Sequence, residues 1–400
     1  MSILRSPHAL LAFGMTTCMI MGNNSIVPVV PLMRDIFGIS PASASLAITA
    51  FTLPGIVFSP LSGLLADRYG RKPVALVSLA LFCLGGVLCA LAPNFPMLLA
   101  CRFLQGVGGG ALGVLNAMII ADSFPRSELS RMMGYNGTVL SLSTAMYPLI
   151  GGVLALIGWR ATFALPLIAL PVFFLALRTP LQGPGSSTGL GEYMRESWRI
   201  SRSSRNVLLF TLTFLTFTML YGPMVTSLPM MGRDVFSLNP AAIGSVTIAS
   251  SLGAAIMASQ LGRLSRRYSS VRLMAVAQFF YIAALIIFPF MPTAWMLALP
   301  ALLFGCGQGL NISSIQALLM ADTPAGQRGA IMAVNGMLLR LGQTTGPILF
   351  GAIIAAFGIG TSFHAGAILA CIMLGLVVFR LNRITAPSGD GDTPPSRKED

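Results

Sequence analysis

Gly63-Leu64-Leu65-Ala66-Asp67-Arg68-Tyr69 returns 199 positions further on as Gly262-Arg263-Leu264-Ser265-Arg266-Arg267-Tyr268. At the same offset Asn136-Gly137 returns as Asn335-Gly336 and Pro148 as Pro347. Ala121-Asp122-Ser123 reappears as Ala321-Asp322-Thr323, one residue later than that offset. The chain therefore reads as two similar halves. What lies around each copy decides what the halves are made of. Of the 400 residues, 55% are hydrophobic and only 9% charged. A soluble domain carries about 25% charged residues, so this composition cannot build a water-facing surface. Soluble enzymes, disordered chains and disulfide scaffolds are excluded.

Hydrophobic stretches fall at 9–31, 43–66, 74–92, 97–121, 134–157 and 162–177, and again at 206–231, 241–261, 273–291, 295–320, 330–357 and 362–379. A helix crosses a hydrocarbon layer with about 20 apolar residues, and these stretches, 16 to 28 residues long, read as twelve spans. The first is too long for a signal-peptide core and reads as a span. The expected fold is an all-α integral membrane protein: twelve transmembrane helices in two pseudo-symmetric six-helix bundles. The expected division is 1–177, a linker 178–205, 206–380 and a tail 381–400.

The 25 Lys and Arg sort by loop. Arg34, Arg160 and Arg233 fall on one side and Arg102 and Arg340 inside spans, leaving twenty on the other side. Positive charge stays in the cytoplasm, so both termini are expected there, in the inner membrane. The net charge of +13 is thus a topology signal and no nucleic-acid partner is expected. Two His, 8 and 364, are too few for a histidine metal site, and the six Cys lie in apolar stretches without C-x-x-C spacing. No metal and no cofactor is expected.

The loop Gly63-x-Leu65-Ala66-Asp67-Arg68-x-Gly70-Arg71-Lys72 resembles the signature between the second and third helices of the major facilitator superfamily. Arg102-Phe103-Leu104-Gln105-Gly106-Val107-Gly108 resembles its fourth-helix motif, and Gly158-Trp159-Arg160 with Phe163 resembles the start of its sixth helix. Pro148-Leu149-Ile150-Gly151-Gly152 resembles the fifth-helix motif of its twelve-span drug:proton antiporters, except that Tyr147 stands where that motif has Gly. The second half keeps Gly346-Pro347. The resemblance implies a transporter with a binding site near the midplane between halves that rock about it. It implies gating or coupling roles for Asp67, Arg68, Arg71, Arg102 and Asp122, and helix packing at Pro148, Gly151, Gly152, Gly346 and Pro347.

Asp67 is placed to meet the amide-rich N-terminus of the eleventh helix, and Arg71 to reach Asp122; ordinary topology charge is the other reading of this loop. A charge within a span costs about 2.5–3.5 kcal/mol on insertion scales. Arg102, five residues into its helix, could escape by snorkelling. Arg340 lies about 15 Å deep at 1.5 Å per residue, with Gln343 on its face. It either lines the transport path or is satisfied by helix ends. All twelve Asp and Glu lie in loops, linker or tail, and the first helix carries Asn23-Asn24-Ser25 where an acid would serve proton transfer. A positive cavity without negative charge favours anionic or zwitterionic solutes. Asn24, Gln105, Asn116, Tyr221, Gln308 and Asn311 are candidate cavity groups, each equally readable as an interhelical hydrogen bond.

Gly185-x-Ser187-x-Gly189 matches a hydrolase elbow but sits in a Gly/Ser/Pro linker, and Gly106-x-Gly108-x-x-Ala111 mimics a dinucleotide loop inside a span. No enzyme is expected. The expected function is export of a small organic molecule, drug-like or anionic to zwitterionic, in exchange for protons, by a monomer in contact with membrane lipids. A proton-coupled importer or facilitator of an anionic solute stays open, as does a transporter-like membrane sensor.

Overall fold

The computed structural model describes residues 6–181, 202–321 and 328–381. Most of the expected linker and tail, and Asp322, lie outside the described residues. Among the described residues, twelve helices long and apolar enough to span a membrane follow one another: α1 Pro7–Phe37, α2 Pro41–Tyr69, α3 Arg71–Leu91, α4 Phe95–Ser123, α5 Arg126–Ile157, α6 Trp159–Arg178, α7 Ser204–Asp234, α8 Pro240–Leu264, α9 Ser270–Phe290, α10 Ala294–Ala321, α11 Arg328–Phe357 and α12 Ile359–Leu381. Among the described residues there is no strand.

Helix starts follow local chemistry. The side chains of Ser40, Asn94 and Asn239 accept the backbone N–H of Ser43, Met97 and Ala242 at 2.8–3.1 Å. Each precedes a first turn holding Pro41, Pro96 or Pro240, where a missing N–H costs nothing. Hydropathy ends the first span at 31, yet α1 runs on to Phe37 and stops at Gly38, whose φ of 62° is the left-handed cap glycine tolerates. The charges Arg34 and Asp35 end the apolar run without ending the helix.

Two apolar cores build the two bundles. Leu11, Met15, Phe82, Leu112 and Leu115 belong to the core of α1–α6; Leu209, Tyr281, Phe304, Phe363 and Met373 to that of α7–α12. Within each bundle a polar clamp ties helices together. Asn116 donates to Thr16 Oγ1 at 2.7 Å, and Thr16 donates to Asn136 Oδ1 at 2.6 Å. In the other half Asn311 donates to Thr216 at 2.8 Å and Thr213 to Asn335 at 2.7 Å. Asn116→Ala should lower the melting point by roughly 2–6 °C, from a bond worth about 1–2 kcal/mol in a membrane interior. A change of ligand affinity without that loss of stability would contradict the clamp.

One face of the protein is poor in Arg and carries Arg34, Arg160 and Arg233; the other is rich in Arg. At the Arg-poor face a third apolar cluster unites both bundles, including Ile26, Val29, Trp159, Phe217, Tyr221 and Met230. Hydrogen bonds joining the halves run from this face to the midplane: Ser45 donates to Pro347 O at 2.9 Å, Thr49 to Thr344 O at 3.3 Å, and Thr52 pairs with Thr344 Oγ1 at 3.0 Å. Here the helices meet backbone to backbone. A Cβ on Gly151 would collide with Ser25 O, one on Gly152 with Pro240 O, and one on Gly244 with Pro148 O. These contacts close the halves on each other at the Arg-poor face. Towards the Arg-rich face a Cβ on Gly134, Gly137, Gly262 or Gly336 would meet nothing within 4 Å among the described residues.

Candidate functional site

Two broken helices place the site. After Asn24, α1 passes through a 3-10 turn at Val27–Val29 containing Pro28. At the corresponding depth α7 widens into a π-helical turn, Leu220–Ser227, containing Pro223. Proline removes an N–H and crowds the carbonyl one turn back, and in a membrane the freed groups need partners. Ser25 Oγ donates to Met21 O and Thr226 Oγ1 to Tyr221 O, both at 2.8 Å. Irregular backbone at membrane depth is tolerated where it lines a cavity or is buried in protein.

At these breaks a polar chain crosses from one half to the other. The Tyr221 hydroxyl accepts from Asn23 Nδ2 at 2.8 Å and from Gln343 Nε2 at 2.9 Å. Asn23 also donates to Asn24 Oδ1 at 3.4 Å, and Arg340 Nη1 donates to Gln343 Oε1 at 3.2 Å. Arg340 reaches across the interface towards α2 and α4. A Cβ on Gly55 would sit 3.3 Å from its Cδ, and one on Gly113 3.7 Å from its Nη2. Of the residues expected from sequence to bind substrate, Asn24, Tyr221, Arg340 and Gln343 come together here, and Asn23 joins them. The arrangement offers one fixed positive charge, several amide and hydroxyl groups, and apolar walls.

The remaining candidates sit elsewhere. Asn116 and Asn311 are held in the clamps within each half. Gln308 is half-buried on α10 and makes no hydrogen bond to a described residue. Gln105 serves Arg102, which does not snorkel to the surface. Arg102 is fully buried and donates to Ala47 O at 3.1 Å, Gly22 O at 2.7 Å and Gln105 Oε1 at 2.7 Å, with its guanidinium 4.5 Å from the Phe51 ring centre. Gly106, Gly108 and Gly109 press α4 against Phe51, Ser78 and Phe82, close enough for Arg102 to find carbonyls of α1 and α2 within its own half. That is a structural seat, sealed from the interface.

At the Arg-rich end of α2 the chain turns at Gly70, φ 91°, and Arg71 holds two acids: Nη1 donates to Asp67, and Nε to Asp122 Oδ2 at 2.8 Å. The expected Arg71–Asp122 contact is present. Asp67 faces Arg71; residues 322–327, just ahead of α11, lie outside the described residues. Arg68 is exposed, its guanidinium 5.5 Å from the Tyr69 ring centre, and stands apart from this cluster. Lys72 Nζ caps the end of α6 by donating to Leu177 O at 2.6 Å. Tyr147, the departure before Pro148, turns into the core of its own half with Cys18 and Leu115, so the α5–α8 seam keeps its small surface. Gly346 packs α11 on the α7 break, against Thr218 O and Gly222 N, while Pro347 lends its carbonyl to Ser45. His364 is exposed, 6.2 Å ring to ring from Phe290.

Sequence reasoning missed a cluster at the Arg-poor face. Arg34 forks onto Asp234 with Nη1 and Nη2 at 2.6 and 2.7 Å, Arg34 also pairs with Asp35 at 2.7 Å, and Arg233 Nε donates to Asp35 at 3.2 Å. The signal was available: Arg34-Asp35-Ile36-Phe37 returns as Arg233-Asp234-Val235-Phe236 at the offset of 199. The repeat makes each half supply one Arg and one Asp to the other.

Comparison with known proteins follows the same outline. Residues 12–338 and 233–398 match the sequence profile of the Major Facilitator Superfamily. The chain is 28% identical over 373 residues to the multi-drug resistance efflux pump PmrA of Streptococcus pneumoniae, covering 89% of this chain and 92% of that one. It is 29% identical over 367 residues to the multidrug resistance protein MdtG of Salmonella arizonae, covering 88% of each. A bacterial homolog of the human lysosomal transporter Spinster, in an inward-facing and unoccupied conformation, shares the fold with a TM-score of 0.78 at 15% identity, over 93% of this chain and 96% of that one.

Proposed function

Given that the chain belongs to the major facilitator superfamily, and so is a secondary transporter of small molecules in a membrane, we propose that it exports a drug-like or an anionic to zwitterionic organic molecule in exchange for protons, acting as a monomer. The observation that carries this reading is the polar chain from Asn23 through Tyr221 and Gln343 to Arg340. It lies where broken helices of both halves meet, shut from one face by the glycine seam. A solute bound there is reached from the other face, and rocking of the halves would deliver it across. The likeness to the efflux pumps PmrA and MdtG supports export. We take the Arg-rich face as cytoplasmic by the positive-inside rule, which puts both termini there and makes the present state open inward. No acid stands at the site among the described residues, so coupling is assigned to the Asp67–Arg71–Asp122 cluster, whose ion pairing opening and closing would change.

The test is flux in vesicles of both orientations. Inverted vesicles with an acidic lumen should accumulate ethidium or phenylbutyrate only when the transporter is present, and nigericin should abolish the accumulation. Uptake confined to right-side-out vesicles with an acidic exterior would replace export by import. A folded protein that binds ligands but moves none in either orientation would leave a membrane sensor.

A further inference from the structure

Among the described residues two guanidinium groups lie within the membrane away from any acid, and they are not alike. Arg102 gives three hydrogen bonds to two carbonyls and an amide, lies on an aromatic face and is fully sealed, with only its Nη2 lacking an acceptor among the described residues. Arg340 gives a single hydrogen bond, to Gln343, and its remaining N–H groups make none to a described residue. It is half-buried and stands between the halves rather than inside one. Nor is its charge matched by an acid among the described residues. Asp35 and Asp234 are taken by Arg34 and Arg233 at one face, and Asp67 and Asp122 by Arg71 at the other. A guanidinium in a medium of low polarity is stable when a planar oxyanion accepts its fork of donors, and here the fork points at no such group.

Resting on the transport reading above, we infer that Arg340 is the headgroup site of an organic monoanion, a carboxylate or an equivalent oxyanion. Gln343 holds the guanidinium by one donor, leaving the others to face the ligand. Asn23 and Gln343 spend amide protons on the Tyr221 oxygen, so the tyrosine O–H is left to donate to the same anion. Gly55 and Gly113 bring α2 and α4 alongside without a Cβ, and Met19, in contact with the Gly113 position, offers a polarizable apolar wall for the ligand's body. A primary or quaternary ammonium would meet the fixed charge head on, so cations are selected against at this site.

The experiment uses the full-length purified protein and three probes of one shape: phenylbutyrate, phenylbutanamide and phenylbutylamine, each followed by thermal shift, with chloride and inorganic phosphate alone as further arms. Binding to the folded state raises the melting point by mass action. Phenylbutyrate should raise it by several degrees at saturation while the amide and amine do not. Arg340→Gln should abolish that shift, Arg340→Lys, which keeps the charge without the fork, should weaken binding about tenfold, and Tyr221→Phe should weaken it about threefold to tenfold. Should Arg340→Gln not fold, the Lys and Phe variants carry the same test. A shift with the amine, or an equal phenylbutyrate shift in Arg340→Gln, overturns the inference. So does an equal, Arg340-dependent shift with chloride or phosphate alone, which would make the site one for an inorganic counter-ion. Because the readout is binding, absence of flux would sink the export reading and leave this one standing. Transport of ethidium with no phenylbutyrate shift would do the reverse.

Discussion

Gly244→Val is expected to stop transport while both six-helix bundles stay folded. A Cβ on Gly244 would collide with Pro148 O and lie 2.8 Å from Leu149 Cα, and the facing Gly152 has the same relation to Pro240 O and to Ala241 Cα at 2.9 Å. These neighbours are backbone atoms of another helix, which cannot swing aside as a side chain can. Overpacking costs about 1–3 kcal/mol where side chains can yield, and more is expected where only rigid helices can move. The cheapest relief is to part α5 from α8, which opens the Arg-poor face. Closure of that face is half of the cycle, and a penalty of about 3 kcal/mol lowers its population more than a hundredfold. Flux in inverted vesicles should therefore fall by about that factor. Gly360→Ala is the control: that glycine, on α12, has nothing within 4 Å, and flux should stay near the wild-type rate. Wild-type flux in Gly244→Val would show that the seam is not closed during turnover.

The glycine seam was half legible in the sequence. Pro148, Gly151 and Gly152 announce a small-residue surface, but not that Pro148 and Gly152 meet Pro240 to Gly244 while Gly151 meets Ser25, because a small residue says that something comes close without saying what. The polar residues were harder. Asn24, Asn116 and Asn311 all lie in apolar helices, and one-dimensional periodicity cannot tell a side chain facing a helix of its own half from one facing the interface. Only the partners separate them: Asn116 and Asn311 are spent on Thr16 and Thr216, whereas Asn23 bonds across the divide to Tyr221. Arg102 and Arg340 differ in the same way. Arg102, nearer its helix end, could have reached the surface and Arg340 could not. Among the described residues packing gives Arg102 three acceptors and an aromatic face, with only its Nη2 unpartnered, and gives Arg340 one acceptor. Spans, by contrast, are set by the length and apolarity of local segments, so their number and order follow from composition alone. Their ends shift where a helix outlasts its hydrophobic run, as α1 does at Arg34 and Asp35.

Those same two residues carry the last expected result. In a cycle of alternating access the Arg-poor face must open, and Arg34, Asp35, Arg233 and Asp234 join α1 to α7 directly across the line of separation. Single exposed ion pairs are worth about 0–1 kcal/mol. This one is a network, with a two-pronged Arg34–Asp234 contact and side chains 18–38% exposed, so its total stands above that range. Asp234→Arg would set three guanidiniums around Asp35. The closed face should lose roughly 1.4 kcal/mol or more, a tenfold drop in flux if closure limits the rate. Because the charges are partly open to water, the defect should shrink as salt rises and the screening length falls from about 10 Å at 0.1 M towards 3 Å at 1 M. Adding Arg34→Asp reverses the fork: the new carboxylate at position 34 faces the new guanidinium at position 234, while Asp35 keeps Arg233. Flux should then return to within about threefold of wild type, since the pairing is restored but its fork geometry is not. Equal flux in Asp234→Arg and wild type at low salt would reduce the quartet to surface decoration. A single variant that is slow while the double variant stays equally slow would mean that shape, rather than charge, is what α1 and α7 recognise in each other.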